Sequence, residues 1–253
     1  MKAESYRLGY EMSEDALSWN VFVSLAVAGR LREAARYLTG RVIQGEPLLY
    51  LWGRRIDLNG TDFAVYPELL RVRKHLEGGI SQFPTEPDIM LIIPEEMVIC
   101  VEAKFGSGNP LAHEEATKSG SKPVSREGLL ARYLSPSEYA RIRLVPENIG
   151  TRFHSQLFRN IVFACEMARE LPWHVVNLVR KTDRGQGEDG HYSFDPPTKD
   201  VCAFLAPEFQ ACFTYRTWED LYANCVAADP ALAGLADYLR TKSAHYRRAF
   251  ELI

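Results

Sequence analysis

Two carboxylates and one ammonium group flank a pair of short apolar runs near the middle of the sequence. Asp88 precedes the first run, and Glu102 and Lys104 follow the second one. Carboxylates that lie close together repel each other unless a positive charge is near, and a divalent cation with oxygen ligands is the usual solution. These residue types at this spacing therefore predict the chemistry of a metal-dependent phosphodiesterase. The alternative is that they are solvated charges at two strand ends.

The elements that must position these groups are two strands. Residues 89–93 and 98–101 are apolar and rich in β-branched side chains, which is the composition of strands buried on both faces, and a short polar segment connects them. The pattern therefore predicts a β-hairpin. Glu102 and Lys104 are two residues apart on its second strand, so their side chains should leave the same face of the sheet.

The register of the hairpin decides which residue lies beside Asp88. If Ile93 pairs with Val98 across the turn, the ladder places Asp88 beside Ala103, with an error of about one residue in either direction. We therefore expect the Asp88 carboxylate at the same edge of the sheet as the two charged groups of the second strand.

This arrangement resembles the PD-(D/E)XK nuclease superfamily, which has the restriction endonuclease-like fold. Pro87-Asp88 matches the first half of the superfamily motif, and Glu102-Ala103-Lys104 matches the second half. The resemblance implies an α/β fold with an αβββαβ core, in which helices flank a central mixed sheet.

The order of helix, strand, hairpin, helix and strand along this chain matches that core. We expect a single domain over residues 1–253, with the core at about 13–180 and a C-terminal helical extension at about 181–253 as an accessory region. The remaining predicted elements are a first helix beginning near residue 14, a strand at 48–52, a helix or irregular strand at 68–77, a helix within 151–171, strands at 173–179 and 209–214, a helix from 218 and a last helix from 229.

The resemblance also implies a mechanism. Asp88, Glu102 and the backbone carbonyl of Ala103 would hold one or two Mg²⁺ ions, for which Mn²⁺ can substitute. Lys104 would orient the attacking water or help to deprotonate it, and would stabilise the pentavalent phosphorane. Glu14 is the nearest match to an acidic residue that the first helix often carries, and would hold a second ion. Equally, Glu14 suits the positive end of the helix dipole, so its role stays open.

A helix after the second strand carries a further part of the resemblance. Similar nucleases follow this strand with a helix that bears a glutamine, often within a Gln-Leu-x-Arg-Asn pattern, and residues 156–160 look like it. Gln156 would orient a phosphate or a water, and Arg152 and Arg159 would pair with the phosphate backbone. A polar stripe that faces solvent is the alternative, and it has more weight for Arg152 than for Gln156.

Charge is distributed unevenly along the chain. The net charge of −3 does not indicate nucleic-acid binding, but residues 104–159 hold nine basic and five acidic side chains. Residues 106–122 are rich in Gly, Ser, Asn and Lys and predict a long loop. Lys118, Lys122 and Arg126 are therefore candidate DNA phosphate contacts, with an insertion that carries ordinary solvated charges as the alternative.

Composition limits the other choices. The chain has 253 residues, 46% of them hydrophobic, and no apolar stretch approaches the ~20 residues of a membrane helix. Five cysteines form no Cys-x-x-Cys pair, which argues against disulfides and a structural zinc site. There is no signal-peptide pattern, so we expect a cytoplasmic protein with no membrane partner. A homodimer stays open by analogy with the superfamily.

Together these patterns predict a Mg²⁺-dependent DNA endonuclease or exonuclease that acts in restriction, defence or DNA processing. The alternative is a nuclease-like domain that binds nucleic acid or a partner protein without catalysis. RNA is a third option, because nothing in the sequence distinguishes between the two sugars. There is also no recognisable DNA-reading module, which speaks against sequence-specific cleavage.

Overall fold

A computed structural model describes residues 14–58, 60, 63–79, 84–105, 109, 125–150, 152–181 and 197–245, with side chains as far as residue 241. The predicted loop at 106–122 and most of the polar segment between 181 and 199 lie outside the described residues. So do Lys118 and Lys122.

One six-stranded mixed sheet forms the centre of the fold, with the spatial order β2-β1-β3-β4-β5-β6. The first four strands in that order pair antiparallel, whereas β5 is parallel to β4 and β6 is parallel to β5. This arrangement confirms the predicted α/β class with a mixed sheet. The strands are β1 (Leu48–Leu51), β2 (Arg54–Arg55), β3 (Ile89–Ile93), β4 (Met97–Lys104), β5 (Trp173–Val179) and β6 (Phe213–Thr217).

Helices cover both faces of the sheet. The segment that pattern alone left as helix or irregular strand is a helix, α3, and it has a proline at its first position, where no intrahelical N–H is needed. The helices are α1 (Glu14–Val27), α2 (Leu31–Thr39), α3 (Pro67–Glu77), α4 (Arg126–Leu129, continued by a π-helical turn at Leu130–Leu134), α5 (Ser155–Ala168), α6 (Thr198–Phe204), α7 (Trp218–Cys225) and α8 (Ala233–His245).

The alternation of side chains along β3 and β4 divides the core into two layers. On one face, Met90, Ile92, Val98 and Cys100 pack with apolar residues of α3, α5 and α6. On the other face, the intervening residues of both strands pack with α1, α2, α7 and α8. Because both faces are covered, every residue of these two strands is buried, which explains their nearly continuous apolar sequence.

The hairpin register differs by one residue from the favoured prediction. Ile93 pairs with Met97 rather than with Val98. The turn contains three residues, and one of them, Glu95, has a φ of 58°. A residue in this left-handed conformation allows a three-residue loop to close, which shifts the pairing. Continued outward from the pair Ile89 and Val101, this register places Asp88 opposite Glu102 instead of Ala103.

The C-terminal region contributes more than helices. A 3₁₀ helix occupies Pro207–Cys212, where the predicted strand should have begun, and β6 follows it and extends the sheet beside β5. The region was predicted as a helical extension with a strand at 209–214, and the structure has this strand at Phe213–Thr217, at the edge of the sheet. In the described part of the chain, no helix combines the length and the apolar character that crossing a membrane requires.

Candidate active site

The charged residues of the hairpin converge at one edge of the sheet. Glu102 and Lys104 leave the face of β4 that packs against α5, and both are buried, with 5% and 7% of their surface exposed. The Lys104 Nζ lies 2.6 Å from Glu102 Oε1. Asp88 lies on the neighbouring strand end, where its Oδ2 accepts a hydrogen bond of 2.8 Å from the Ala103 backbone N–H. The structure therefore brings together the two carboxylates and the ammonium that the motif singled out.

The first helix brings a third carboxylate to this edge. Glu14 is the first described residue of α1, and its Oε1 accepts a hydrogen bond of 2.9 Å from the backbone N–H of Phe105, directly after β4. Its charge acts on both Asp88 and Lys104. Glu14 thus lies near Asp88 and Lys104, as expected of a residue that would hold a second ion. It also accepts a hydrogen bond from the backbone directly after β4.

The concentration of negative charge shifts the titration of the site. Part of Asp88 reaches solvent, but protein surrounds its carboxylate, and this burial together with the charge of Glu102 raises the pKa of Asp88 well above its usual range. Burial alone would lower the pKa of Lys104, but Glu102, Asp88 and Glu14 outweigh it and raise that pKa above its ordinary value. Without a bound cation, Lys104 is therefore an ammonium at neutral pH.

Asn160 on α5 also contacts the site, and sequence reasoning assigned it no role. Its Nδ2 donates a hydrogen bond of 2.6 Å to Glu102 Oε2, so the two oxygens of this carboxylate are held by an amide and an ammonium. From β5, Asn177 lies beside Glu102 in the parallel register and donates a longer bond of 3.4 Å to its backbone oxygen. Asn160 is the last residue of the Gln-Leu-x-Arg-Asn pattern, and this pattern was the sequence signal that could have pointed to it.

Gln156 lies one helical turn before Asn160. Residues four apart on a helix share a face, so the Gln156 amide is on the side of α5 that faces β4. Its Oε1 is shielded from solvent and accepts no hydrogen bond from the residues that the structure describes. This unsatisfied oxygen is compatible with a water or ligand partner.

Three of the five candidate phosphate contacts are among the described residues. Arg152 is exposed and forms an ion pair of 3.2 Å with Asp200 of α6, which also contacts His154. Arg159 is partly exposed, and its charge partly offsets the burial that raises the pKa of Tyr133. Arg126 is the first residue of α4 and is partly exposed. The role of these three arginines as DNA phosphate contacts stays a prediction.

The donor set fits a hard divalent cation. Among the described residues, no three His, Cys, Asp or Glu side chains lie close enough to form a ready-made metal cage. However, Mg²⁺ is usually bound by one or two carboxylates, with waters and substrate phosphates as its other ligands. Asp88 and Glu102 supply two such carboxylates on one face, and with Glu14 they outnumber the single ammonium of Lys104. A cation would offset this excess negative charge.

Comparisons with known proteins add no assignment. No family model matches the chain, and no significant match was found among curated proteins or solved structures.

Proposed function

We propose that this chain is a Mg²⁺-dependent phosphodiesterase that hydrolyses nucleic acid, with DNA as the favoured substrate. The observation that carries the proposal is the juxtaposition of Asp88, Glu102 and Lys104 on one face of the sheet edge. A structural ion pair would need one carboxylate for one ammonium. Burial, and then the charge of Glu102, raise the pKa of Asp88, so that its carboxylate is unfavourable without a cation.

Each residue has a role in this proposal. Asp88 and Glu102 would hold the metal ion together with the Ala103 carbonyl, and Glu14 would contribute to a second ion. When bound, the ion would polarise the phosphoryl oxygen and lower the pKa of a bound water. Lys104 directs its ammonium at the water and at the charge that develops on the phosphorane. Without the ion, the surrounding carboxylates hold its proton.

Cleavage assays test the proposal directly. Purified protein is incubated with supercoiled plasmid, linear duplex and single-stranded DNA in Mg²⁺, Mn²⁺ or EDTA. We expect cleavage that requires metal and falls at least a hundredfold in Lys104→Ala, because a preorganised charge at the reacting centre is lost. Lys74→Ala is the matched control, since Lys74 is exposed on α3. Equal cleavage by Lys104→Ala and the wild type would refute the proposed role of this site.

One observation favours the alternative of a nuclease-like module without catalysis. Both oxygens of Glu102 already have partners, namely Lys104 and Asn160, so the site is closed in this conformation. A non-catalytic module has no reason to open it. Calorimetric titration with Mn²⁺ discriminates between the two functions: heat of binding that disappears in Glu102→Gln supports the enzyme, and the absence of binding supports the module.

Asn160 should act as a positioning residue for Glu102. Replacing it with leucine keeps the approximate volume but removes the donor to Glu102 Oε2. We expect Mn²⁺ affinity and cleavage to fall by about 10- to 100-fold, which is typical when the partner of a metal ligand is lost. Asn224→Leu, at an exposed position of α7, is the control. A variant with unchanged Mn²⁺ affinity would show that the hydrogen bond does not position the carboxylate.

A further inference from the structure

Two tryptophans lie beside the acidic edge and are not explained by the proposed chemistry. The backbone N–H of Trp52 donates a hydrogen bond of 3.0 Å to the backbone oxygen of Asp88, so Trp52 is the direct neighbour of Asp88 in the sheet. The Trp52 indole N–H donates to Asp15 Oδ1 at 3.2 Å, next to Glu14 on α1. Trp19 of the same helix stacks on Trp52, with the rings within 4° of parallel and their centroids 6.4 Å apart.

The backbone at Trp52 is unusual for a tryptophan. Trp52 and Gly53 are the two residues of the tight turn between β1 and β2, and both have positive φ, at 49° and 76°. Such two-residue hairpin turns favour Asn-Gly, because a bulky side chain is disfavoured in the left-handed conformation. Gly53 is required, since a Cβ there would lie 2.5 Å from a Leu69 methyl carbon. Trp52 is not required by the turn, so what this position contributes is the indole.

The two indoles are also accessible. Trp19 and Trp52 are partly exposed, whereas the other two tryptophans, Trp173 and Trp218, are buried with 1% and 3% of their surface exposed. Parallel rings at 6.4 Å between centroids are offset, so neither ring covers the whole face of the other. A partly exposed pair of indoles therefore lies at the sheet edge that carries the proposed metal ligands, on the side of the sheet that α1 covers.

We propose that Trp19 and Trp52 form a stacking platform for an unpaired nucleobase, so that the substrate at this site is single-stranded nucleic acid. This inference rests on the proposed function in one respect, namely that the bound strand is hydrolysed. Binding of the strand does not itself require cleavage. Base stacking on aromatic side chains tolerates any sequence, because every base has a π-face. Stacking itself meets no repulsion from the acidic edge, since the base is neutral, and the proposed metal ion would offset the charge of the phosphate that approaches this edge.

A purely structural role explains less of this geometry. The bond from Trp52 to Asp15 and the stacking do join α1 to the β1–β2 turn. However, joining two elements needs neither a tryptophan in a left-handed turn position nor a pair of indoles that stays partly exposed. An asparagine at position 52 would relax the backbone and could still reach a neighbouring polar group.

Intrinsic fluorescence tests the platform. Single-stranded oligothymidylate, oligouridylate and a blunt duplex are titrated into the protein in EDTA and in Ca²⁺, which takes oxygen ligands like Mg²⁺. We expect the single strands to quench emission, because only Trp19 and Trp52 are accessible, and the duplex not to quench it. The two single-stranded ligands distinguish DNA from RNA as the source of the base. No quenching by either single strand in both conditions overturns the inference.

Variants locate the binding. Anisotropy of labelled single strands should show affinities lower by roughly 5- to 100-fold in Trp52→Asn and in Trp19→Leu. Trp52→Phe, which keeps a ring but loses the donor to Asp15, should retain most of the affinity. Melting temperatures establish that each variant folds, and Trp19→Leu carries the test if Trp52→Asn does not fold. Unchanged affinity in a folded variant overturns the platform.

The two proposals fail in different ways. Single-strand quenching without metal-dependent cleavage would leave the platform intact and refute the nuclease. Cleavage of duplex DNA without single-strand binding would leave the nuclease intact and refute the platform.

Discussion

Replacing Asp88 with asparagine should abolish cleavage and stabilise the metal-free protein at the same time. The Asp88 carboxylate is surrounded by protein and lies near Glu102 and Glu14, and these surroundings raise its pKa well above its usual range. Its negative charge is therefore unfavourable in the folded protein without a cation. The amide oxygen of asparagine can still accept the hydrogen bond from the Ala103 N–H, but it removes the charge that the proposed metal ion needs.

We expect Asp88→Asn to reduce cleavage at least a thousandfold, since it removes a ligand of the group that activates the water. In EDTA at neutral pH, we expect its free energy of unfolding and its melting temperature to rise above those of the wild type. Asp237→Asn is the matched control, because Asp237 is an exposed residue of α8 that forms an ion pair with Arg240. Undiminished cleavage, or a melting temperature below that of the wild type, would contradict the arrangement.

The strands that carry the site could be predicted because their physical signal is local. Continuous apolar sequence at 89–93 and 98–101 required strands buried on both faces, and the alternation of side chains then placed Glu102 and Lys104 together. The register was less accessible. It depends on the left-handed conformation of Glu95, and Glu96 helps to fix the turn by accepting bonds from the backbone of residues 44 and 45. A contact between such distant segments leaves no pattern in the hairpin sequence.

The partners of the site could not be predicted because they arise from packing between elements. Asn160 reaches Glu102 only because α5 lies on β4, and the helical pattern fixed the face of α5 but not its height along the strand. The pairing of Trp19 with Trp52 depends likewise on where α1 crosses the β1–β2 turn. Arg152 appeared as one residue of a polar stripe. Its ion pair is with Asp200 of α6, a helix that was not among the predicted elements.

A second large effect concerns stability at acidic pH and comes from a buried histidine of β5. His174 of β5 is completely buried, and its Nε2 lies 3.1 Å from the Thr214 hydroxyl oxygen. That hydroxyl donates its own hydrogen to the Leu38 carbonyl at 2.7 Å, so it accepts from the His174 Nε2–H. Burial, and then the charges of Arg41 and Arg216, lower the pKa of His174 to about 3.

The sign of the effect follows from proton linkage. In the unfolded chain, His174 takes up a proton near pH 6.5, whereas in the folded protein it stays neutral until the pH approaches its lowered pKa of about 3. The unfolded state therefore binds more protons between these values, and the free energy of unfolding falls as the pH is lowered through this window. The contribution of this residue is about 1.4 kcal/mol for each pH unit below 6.5, or about 3 kcal/mol at pH 4.

His174→Gln should remove this acid sensitivity, because glutamine keeps an N–H donor for Thr214 but does not titrate. The measurement is urea unfolding of the variant and the wild type from pH 8 to pH 4, with His75→Gln at an exposed position of α3 as the control. We expect the stability of the variant relative to the wild type to rise as the pH falls, by about 3 kcal/mol over the series. The carboxylates titrate equally in both proteins, so their contributions cancel in the difference between the two free energies of unfolding. Parallel curves for the two proteins would show that burial and the two arginines do not keep His174 neutral in the folded protein.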